Sequence, residues 1–301
     1  MSSFSGEPGP LPDVPASADA AARAVALWRA GPDGTRPGTD ELVVEEPLEV
    51  RLGQRSLLVT MRTPGHDLDL VRGLLFTEGL VASPADVTGL AMCRDVPPEA
   101  LGNVVMLSLA PGASLDEVRT ARAGLTVSAC GVCGKASLEA LATLAPPVPT
   151  GAPWDLELLS RLPAVLQQQQ PVFGRTGGLH GAGLFDRQGR LLASAEDVGR
   201  HNAVDKVIGQ AIRFRRLPMH DALLLVSGRA GFEIVQKARR AGIPVVCSVS
   251  APSSLALDLA RDGCQALVGF LRDGRCNVYC GAERLRGLHS SNSPETPEIK
   301  S

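Results

Sequence analysis

The regular exchange of strand-like and helix-like segments after residue 178 is the feature that most limits the possible fold. Residues 178–194 predict a hairpin that turns at Gln188 and Gly189, and residues 202–216 predict an amphipathic helix. The run "ALLLVS" at 222–227 is apolar on both faces, which is typical of a buried parallel strand. Helices and strands then alternate to residue 280, so we predict an α/β domain with a largely parallel sheet.

The residues before this region have a different pattern. Alternating residues at 42–63 predict two paired strands separated by Gly53 and Gln54, followed by a helix that Gly79 closes and a strand at 102–110. A Gly- and Pro-rich stretch at 30–40 predicts a loop or hairpin connection, and residues 154–170 predict a helix that Pro163 interrupts. The domain organisation that we predict is a disordered tail at 1–20, a small α+β domain at 21–125, the larger α/β domain at 126–288, and a second disordered tail at 289–301.

Composition excludes some classes of function. Apolar residues make up 44% of the 301 residues, which is enough for a sizeable core, and the net charge of -2 argues against a general electrostatic grip on nucleic acid. The N-terminus has no basic segment followed by an apolar one, and no apolar run is long enough to span a bilayer. We therefore expect a cytoplasmic protein with reduced thiols and no membrane contact.

The sequence "SACGVCGK" places Cys130 and Cys133 three positions apart among glycines, with Lys135 behind them. Three interpretations compete: two structural thiols, half of a zinc site, or a reactive thiolate. A cysteine that leads into a helix meets unsatisfied amide groups and the positive end of the helix dipole, which favour the thiolate. In this spacing Cys130 would be the better nucleophile, and Cys133 would resolve or relay. Disulfide exchange and persulfide transfer begin with the same attack on sulfur, so the motif leaves both open.

Zinc is the weaker alternative because a structural site needs four ligands. The only other close pair of cysteines is Cys276 and Cys280, which fall in a predicted strand. Side chains four positions apart on a strand lie ~13 Å apart, too far to share one metal ion. We therefore expect no intrinsic metal.

Longer motifs resemble a known family. These motifs are "RTPGHDLDLVRGLLFTEGL", "ACGVCGK", "TGGLHGAGLF", "EDVGRHNAVDKVIG", "SGRAGFEIVQKARRAGIPVVCSVSAPSSLALDLA" and "LVGFLRDGRCNVY". In this order, from about residue 25 to about residue 285, they are similar to those of the formate dehydrogenase accessory sulfurtransferase family (FdhD/NarQ). The sequence departs from the family pattern at Cys280, where we expect Thr or Ser.

The resemblance implies a function and a fold. Members accept sulfur from a cysteine desulfurase as a cysteine persulfide and pass it to the molybdenum (or tungsten) bis-molybdopterin guanine dinucleotide cofactor, a bound substrate that GDP would mimic. The client is the formate dehydrogenase catalytic subunit, and a homodimer is expected. The resemblance assigns the persulfide to Cys130 and Cys133 and a cytidine-deaminase-like fold to the larger domain. It assigns cofactor binding to the turn formed by Phe270, Leu271, Arg272, Asp273, Gly274 and Arg275.

The residues themselves are compatible with such a ligand. Arginines beside a tight turn suit phosphate, although solvated arginines on an ordinary hairpin would look the same. The two helix starts after 199 and 231 carry donors that could bind phosphate or guanine: Arg200, His201, Asn202 and Arg229. Asp205 or Glu233 could pair with guanine, and His180 could line the sulfur path. Zinc deaminases carry H-x-E where this chain has Ala203 as the third residue, so we exclude deamination.

Overall fold

The computed structural model describes residues 20–116 and 145–288. The predicted tails, the boundary near residue 125, Lys135 and the Cys130–Cys133 motif lie outside this part of the chain, apart from Ala20. The α-helices are α1 (Asp67–Thr77), α2 (Leu156–Gln168), α3 (Pro171–Thr176), α4 (Arg200–Arg213), α5 (Phe232–Arg240) and α6 (Ser254–Asp262). The strands are β1 (Ala22–Gly31), β2 (Gly34–Val43), β3 (Glu46–Leu52), β4 (Arg55–Arg62), β5 (Val87–Met92), β6 (Val104–Leu109), β7 (Trp154–Asp155), β8 (His180–Asp186), β9 (Leu191–Asp197), β10 (Ala222–Val226), β11 (Val245–Ser248), β12 (Ala266–Arg272), β13 (Arg275–Cys280) and β14 (Leu285–Arg286). Short 3₁₀ turns lie at Pro84–Asp86, Pro98–Ala100 and Ala282–Arg284.

A six-stranded sheet with the order β13-β12-β11-β10-β8-β9 forms the centre of the larger unit. The fully buried β10 pairs in parallel with β11, and β11 with β12, which confirms the predicted parallel centre. The prediction of a largely parallel sheet is wrong, because the other three pairings are antiparallel. The reason is the length of the connections: Asp273 and Gly274, both with positive φ, close β12 onto β13 as a tight hairpin, and a parallel pairing needs a crossover.

Helices cover both faces of this sheet. One core cluster joins the inner sides of α4, α5 and α6 to one face, and a second joins α2 to the other face. Helix α2 continues through Pro163, so the predicted interruption is wrong. Leu159, Leu162 and Leu166 are buried on both sides of the proline, and their packing outweighs a cost of about 3 kcal/mol for proline inside a helix.

The smaller unit is α+β, as predicted. Its four-stranded sheet has the order β4-β3-β6-β5, and α1 covers it through a third core cluster. A two-stranded hairpin, β1 and β2, precedes it. The predicted hairpin connection at 30–40 is confirmed only at its turn, because the stretch from Gly34 onward belongs to β2.

The two units meet where α1 crosses α4 at a pair of glycines. A Cβ atom on Gly73 would overlap the backbone oxygen of Asp205, and one on Gly209 would overlap that of Asp69. The two helix backbones therefore touch, with no room for a side chain between them. This close approach fixes α4, which carries Arg200 and His201, against the smaller unit.

Gly209→Ala is expected to lower the free energy of unfolding by about 1–3 kcal/mol, because the added methyl group forces the two backbones apart. Urea unfolding of the full chain measures the change. Gly174→Ala in α3 is the matched control: a Cβ there meets nothing within 4 Å, so its midpoint should stay equal or rise slightly. Equal midpoints for wild type and Gly209→Ala would contradict the crossing.

Candidate functional site

Polar segments gather at one edge of the six-stranded sheet, which we call the carboxyl edge. It consists of His180, residues 197–202, residues 227–231, residues 248–254 and residues 270–275. The parallel strands β10, β11 and β12 end here, and the register places Ala182 beside Val226 and His180 beside Asp197. The structure thus brings the two predicted helix starts and the predicted turn to the same edge, where α/β sheets bind ligands.

Two of the three helices that begin at this edge lack a side-chain cap. The helix α4 starts after Gly199 and α5 after Gly231, and neither glycine can bond the free amides of the first turn. The helix α6 differs, because the side chain of Ser253 accepts from the amide of Ala256. The first turns of α4 and α5 therefore keep donors available for an anionic ligand.

His180 lies among the cations of this edge. Burial lowers the pKa of His180, and the positive charges of Arg200, His201 and Arg229 lower it further, while Asp197 acts in the opposite direction. A Cβ on Gly228 would lie 3.2 Å from Nδ1 of His180, so the imidazole contacts the 227–231 loop. The lowered pKa leaves the imidazole neutral at pH 7. The position of His180 beside the ligand path stays a prediction.

His201 pairs with Glu233 across the two helix starts. Nε2 of His201 lies 2.6 Å from a carboxylate oxygen of Glu233. This close contact with His201 lowers the pKa of Glu233, with burial opposing it and nearby positive charges helping, so the carboxylate is ionised at neutral pH. Guanine recognition by Glu233 stays a prediction. Guanine recognition by Asp205 is wrong, because its side chain is buried and bonded to Thr77 and Lys237.

Asn202 is held inside the protein by Asp197. Its amide nitrogen donates to the backbone oxygen of Met61 over 2.7 Å and to Asp197 over 3.0 Å. Asp197 is fully buried and also accepts from the amides of Thr63 and Gly199 and pairs with Lys206. Ligand binding by Asn202 stays a prediction, with the amide nitrogen already engaged. Asp197 was not predicted from the sequence, where its signal is an acidic residue two positions before Gly199, the residue that precedes α4.

The turn at 270–275 is a hairpin that extends past the end of β11. The amide of Phe270 donates to the backbone oxygen of Ser250, and the side chain of Phe270 is partly exposed. Leu271 is buried in the core below the turn. The remaining four residues, Arg272, Asp273, Gly274 and Arg275, are exposed.

Four arginines lie along the carboxyl edge. Among residues 20–116 and 145–288, no Asp or Glu pairs with Arg200, Arg229, Arg272 or Arg275. Nε of Arg200 is moreover buried without a partner in that part of the chain. From β13 to β9 the edge crosses six strands, a distance of roughly 24 Å. An elongated polyanion would supply the missing charge along this distance.

Three of the described cysteines differ from a reactive cysteine. Burial raises the pKa of Cys247, Cys276 and Cys280, so these groups stay protonated at neutral pH. The described ranges contain no group of three or more His, Cys, Asp or Glu residues that could hold a metal ion. The predictions for Cys130 and Cys133, and of no intrinsic metal, stay predictions. No helix in 20–116 or 145–288 is long and apolar enough to cross a membrane.

Comparison with known proteins identifies the family. The sequence profile of the FdhD/NarQ family matches residues 43–286. The chain belongs to the FdhD/NarQ family. The family predicted from the sequence motifs is therefore confirmed.

Relatives match over most of their length. The chain is 48% identical to the sulfur carrier protein FdhD of Streptomyces coelicolor, over 87% of this chain and 94% of the relative. It is 50% identical to the protein of the same name from Mycobacterium tuberculosis, over 83% of this chain and 93% of that one. A crystal structure from Desulfotalea psychrophila, of a protein assigned as a formate dehydrogenase accessory protein, superposes with a TM-score of 0.70. That structure covers 88% of this chain and 99% of its own at 24% identity, so it supports the fold alone.

Proposed function

We propose that this protein is a cytoplasmic sulfur carrier that serves the maturation of a formate dehydrogenase. Several FdhD/NarQ relatives about 50% identical to it bear the name of sulfur carrier proteins. In the proposed reaction, the thiolate of Cys130 attacks the terminal sulfur of a desulfurase persulfide. A Cys130 persulfide forms and the desulfurase thiolate leaves, with no net oxidation. The acceptor is the molybdenum bis-molybdopterin guanine dinucleotide, which is the substrate and not a resident cofactor.

Cys133 has a role of its own in this proposal. Its thiolate attacks the inner sulfur of the Cys130 persulfide, which forms a Cys130–Cys133 disulfide and releases sulfide at the acceptor. A thiol reductant then restores both cysteines. Sulfur is thus delivered at the oxidation level of a metal sulfide.

The row of arginines along the carboxyl edge, which form no ion pair within residues 20–116 and 145–288, is the observation that carries the binding half of the proposal. A dinucleotide cofactor is elongated and rich in phosphate, and both helix starts offer free amides to such groups. Phe270 to Arg275 would bind one end of the cofactor, and Arg200, His201 and Arg229 the phosphates or guanine further along. The scaffold is proposed to be cytidine-deaminase-like, with the buried Ala203 where the catalytic Glu of a deaminase would be.

GDP is the probe for the binding half. Arg229→Ala and His201→Ala are each expected to weaken GDP binding about tenfold or more, because each removes a charged or polar donor to the ligand. Isothermal titration calorimetry measures the affinity. Arg161→Ala is the matched control, because Arg161 is exposed on α2 and pairs only with Glu157. Unchanged GDP affinity in both edge variants would remove these two residues from the site.

Labelled sulfur tests the transfer half. After incubation with a cysteine desulfurase and ³⁵S-cysteine, wild-type protein is expected to carry cyanide-labile label, and Cys130→Ala is expected to carry none. A thiol–disulfide oxidoreductase would instead show only a reversible Cys130–Cys133 disulfide. A carrier of the cofactor alone predicts that Cys130→Ala still supports an active dehydrogenase. Either result would contradict persulfide transfer through Cys130.

A further inference from the structure

A cavity lies at the sheet edge opposite the carboxyl edge. It measures about 470 Å³ and lies between the end of β8, the start of β9, the end of α4 and the connection from α4 to β10. His180 and Asp186 mark the two ends of β8, so the cavity is ~20 Å from the carboxyl edge. Its volume falls within the range of small-molecule sites, and nothing in the proposed sulfur transfer uses it.

The floor of the cavity is apolar. It is made of buried core residues from the sheet, from α4 and from the connection that follows α4, among them Leu184, Ala211 and Met219. Phe214 lines the cavity with 58% of its surface exposed, which is a large exposed fraction for an aromatic residue. Burial of Phe214 and of this floor by a ligand would release water from apolar surface, which favours a ligand with an apolar body.

Two carboxylates and one arginine line the cavity. The carboxylate of Asp186 pairs with Arg190 over 2.6 Å, and that of Asp221 pairs with Arg187 over 2.7 Å. Arg216 also lines the cavity, and no residue in the described ranges forms an ion pair with it. His220 lines the cavity as well. With both lining carboxylates paired to arginines outside the cavity, Arg216 is the charged group that would bind an anionic ligand.

We propose that this cavity binds a small amphipathic carboxylate, with its alkyl body on the apolar floor and its carboxylate on Arg216. The volume favours a free ligand of medium chain length over a protein segment. Binding here is independent of the carboxyl edge, so this proposal and the sulfur-carrier function can fail separately.

Calorimetric titration with decanoate, below its micelle concentration, tests the proposal. We expect saturable one-to-one binding, with octanoate about fifteenfold weaker because it buries two fewer methylene groups. Arg216→Ala is expected to weaken decanoate binding about tenfold and to leave 1-decanol binding unchanged, because the alcohol has no charge to pair. Arg216 is exposed, so the variant should fold, and Arg161→Ala is the matched control.

Three outcomes would overturn the proposal. Absence of saturable decanoate binding would mean that the cavity holds no such ligand. Equal decanoate affinity in wild type and Arg216→Ala would remove the anionic contact. Sedimentation of the protein with phosphatidylglycerol vesicles, to the same extent in Phe214→Ala and Arg216→Ala, with no calorimetric signal for free decanoate, would indicate surface attraction to anionic lipid instead.

Discussion

Lys237→Ala is expected to lower the free energy of unfolding by about 3–5 kcal/mol, because it leaves a buried carboxylate without its partner. Lys237 on α5 is 2% exposed and lies 2.9 Å from Asp205 on α4 and 2.5 Å from Glu78 after α1. Asp205 is equally buried and also accepts from the hydroxyl of Thr77 over 2.6 Å. One ammonium group thus connects both helices whose first turns form the carboxyl edge to the smaller unit.

Urea unfolding at several pH values measures this effect. Burial lowers the pKa of Lys237, but the carboxylates of Asp205 and Glu78 outweigh burial and hold that pKa above its ordinary value. A raised folded-state pKa means that the lysine contributes fully below its unfolded pKa and loses its contribution only as the pH rises through the folded one. Burial raises the pKa of Asp205 even beside the lysine, and this pKa rises further once the lysine is gone, so the loss in Lys237→Ala should be smaller at pH 6 than at pH 9.

Two further variants separate the buried pair from ordinary surface pairs. Arg161→Ala breaks an exposed ion pair with Glu157 on α2, and a change under about 0.5 kcal/mol is expected there. Lys237→Met with Asp205→Leu removes both buried charges and should recover much of the loss. A loss of less than 1 kcal/mol in Lys237→Ala would show that Asp205 is solvated or finds another partner.

Whether a structural feature can be predicted from the sequence depends on how far apart along the chain the interacting residues lie. Periodicity predicts the hairpin of β8 and β9, the buried strand β10 and the helices α4 to α6, because each pattern reflects local burial. Asp205 has the same local pattern as an exposed helical acid. Its buried partners are Lys237, 32 residues later, and Thr77, 128 residues earlier, so a local pattern cannot show that it is structural.

The carboxyl edge shows the same division. The sequence predicts Arg200, His201 and Arg229 as donors because helix starts and strand ends are local features. The fact that they share an edge with Arg272 and Arg275 depends on strand order, which is not local. The antiparallel pairing of β8 with β10 was missed for the same reason, because no local turn joins these two strands.

Asp197→Ala is expected to cost about 3–5 kcal/mol of unfolding free energy, because four donors around one buried carboxylate lose their acceptor. The carboxylate accepts from the amide of Gly199 at 2.8 Å, from that of Thr63 at 3.2 Å and from Asn202 at 3.0 Å, and it pairs with Lys206 at 2.8 Å. Lys206 would remain buried with only the backbone oxygens of Thr63 and Glu196.

The loss should extend from stability to ligand binding, because Gly199 and Asn202 fix the first turn of α4. At a temperature where every variant is folded, Asp197→Asn is expected to weaken GDP binding severalfold. The side-chain amide of the asparagine keeps one oxygen as an acceptor, but its NH₂ group is a donor and cannot pair with the ammonium of Lys206. Lys237→Ala is the matched control: it destabilises the fold through Asp205 and Glu78, neither of which belongs to the carboxyl edge, and should leave GDP affinity close to that of wild type. If both variants weaken GDP binding in proportion to their lost stability, Asp197 acts through the fold as a whole. A specific loss in Asp197→Asn would mean that the buried carboxylate positions the edge that carries Arg200 and His201.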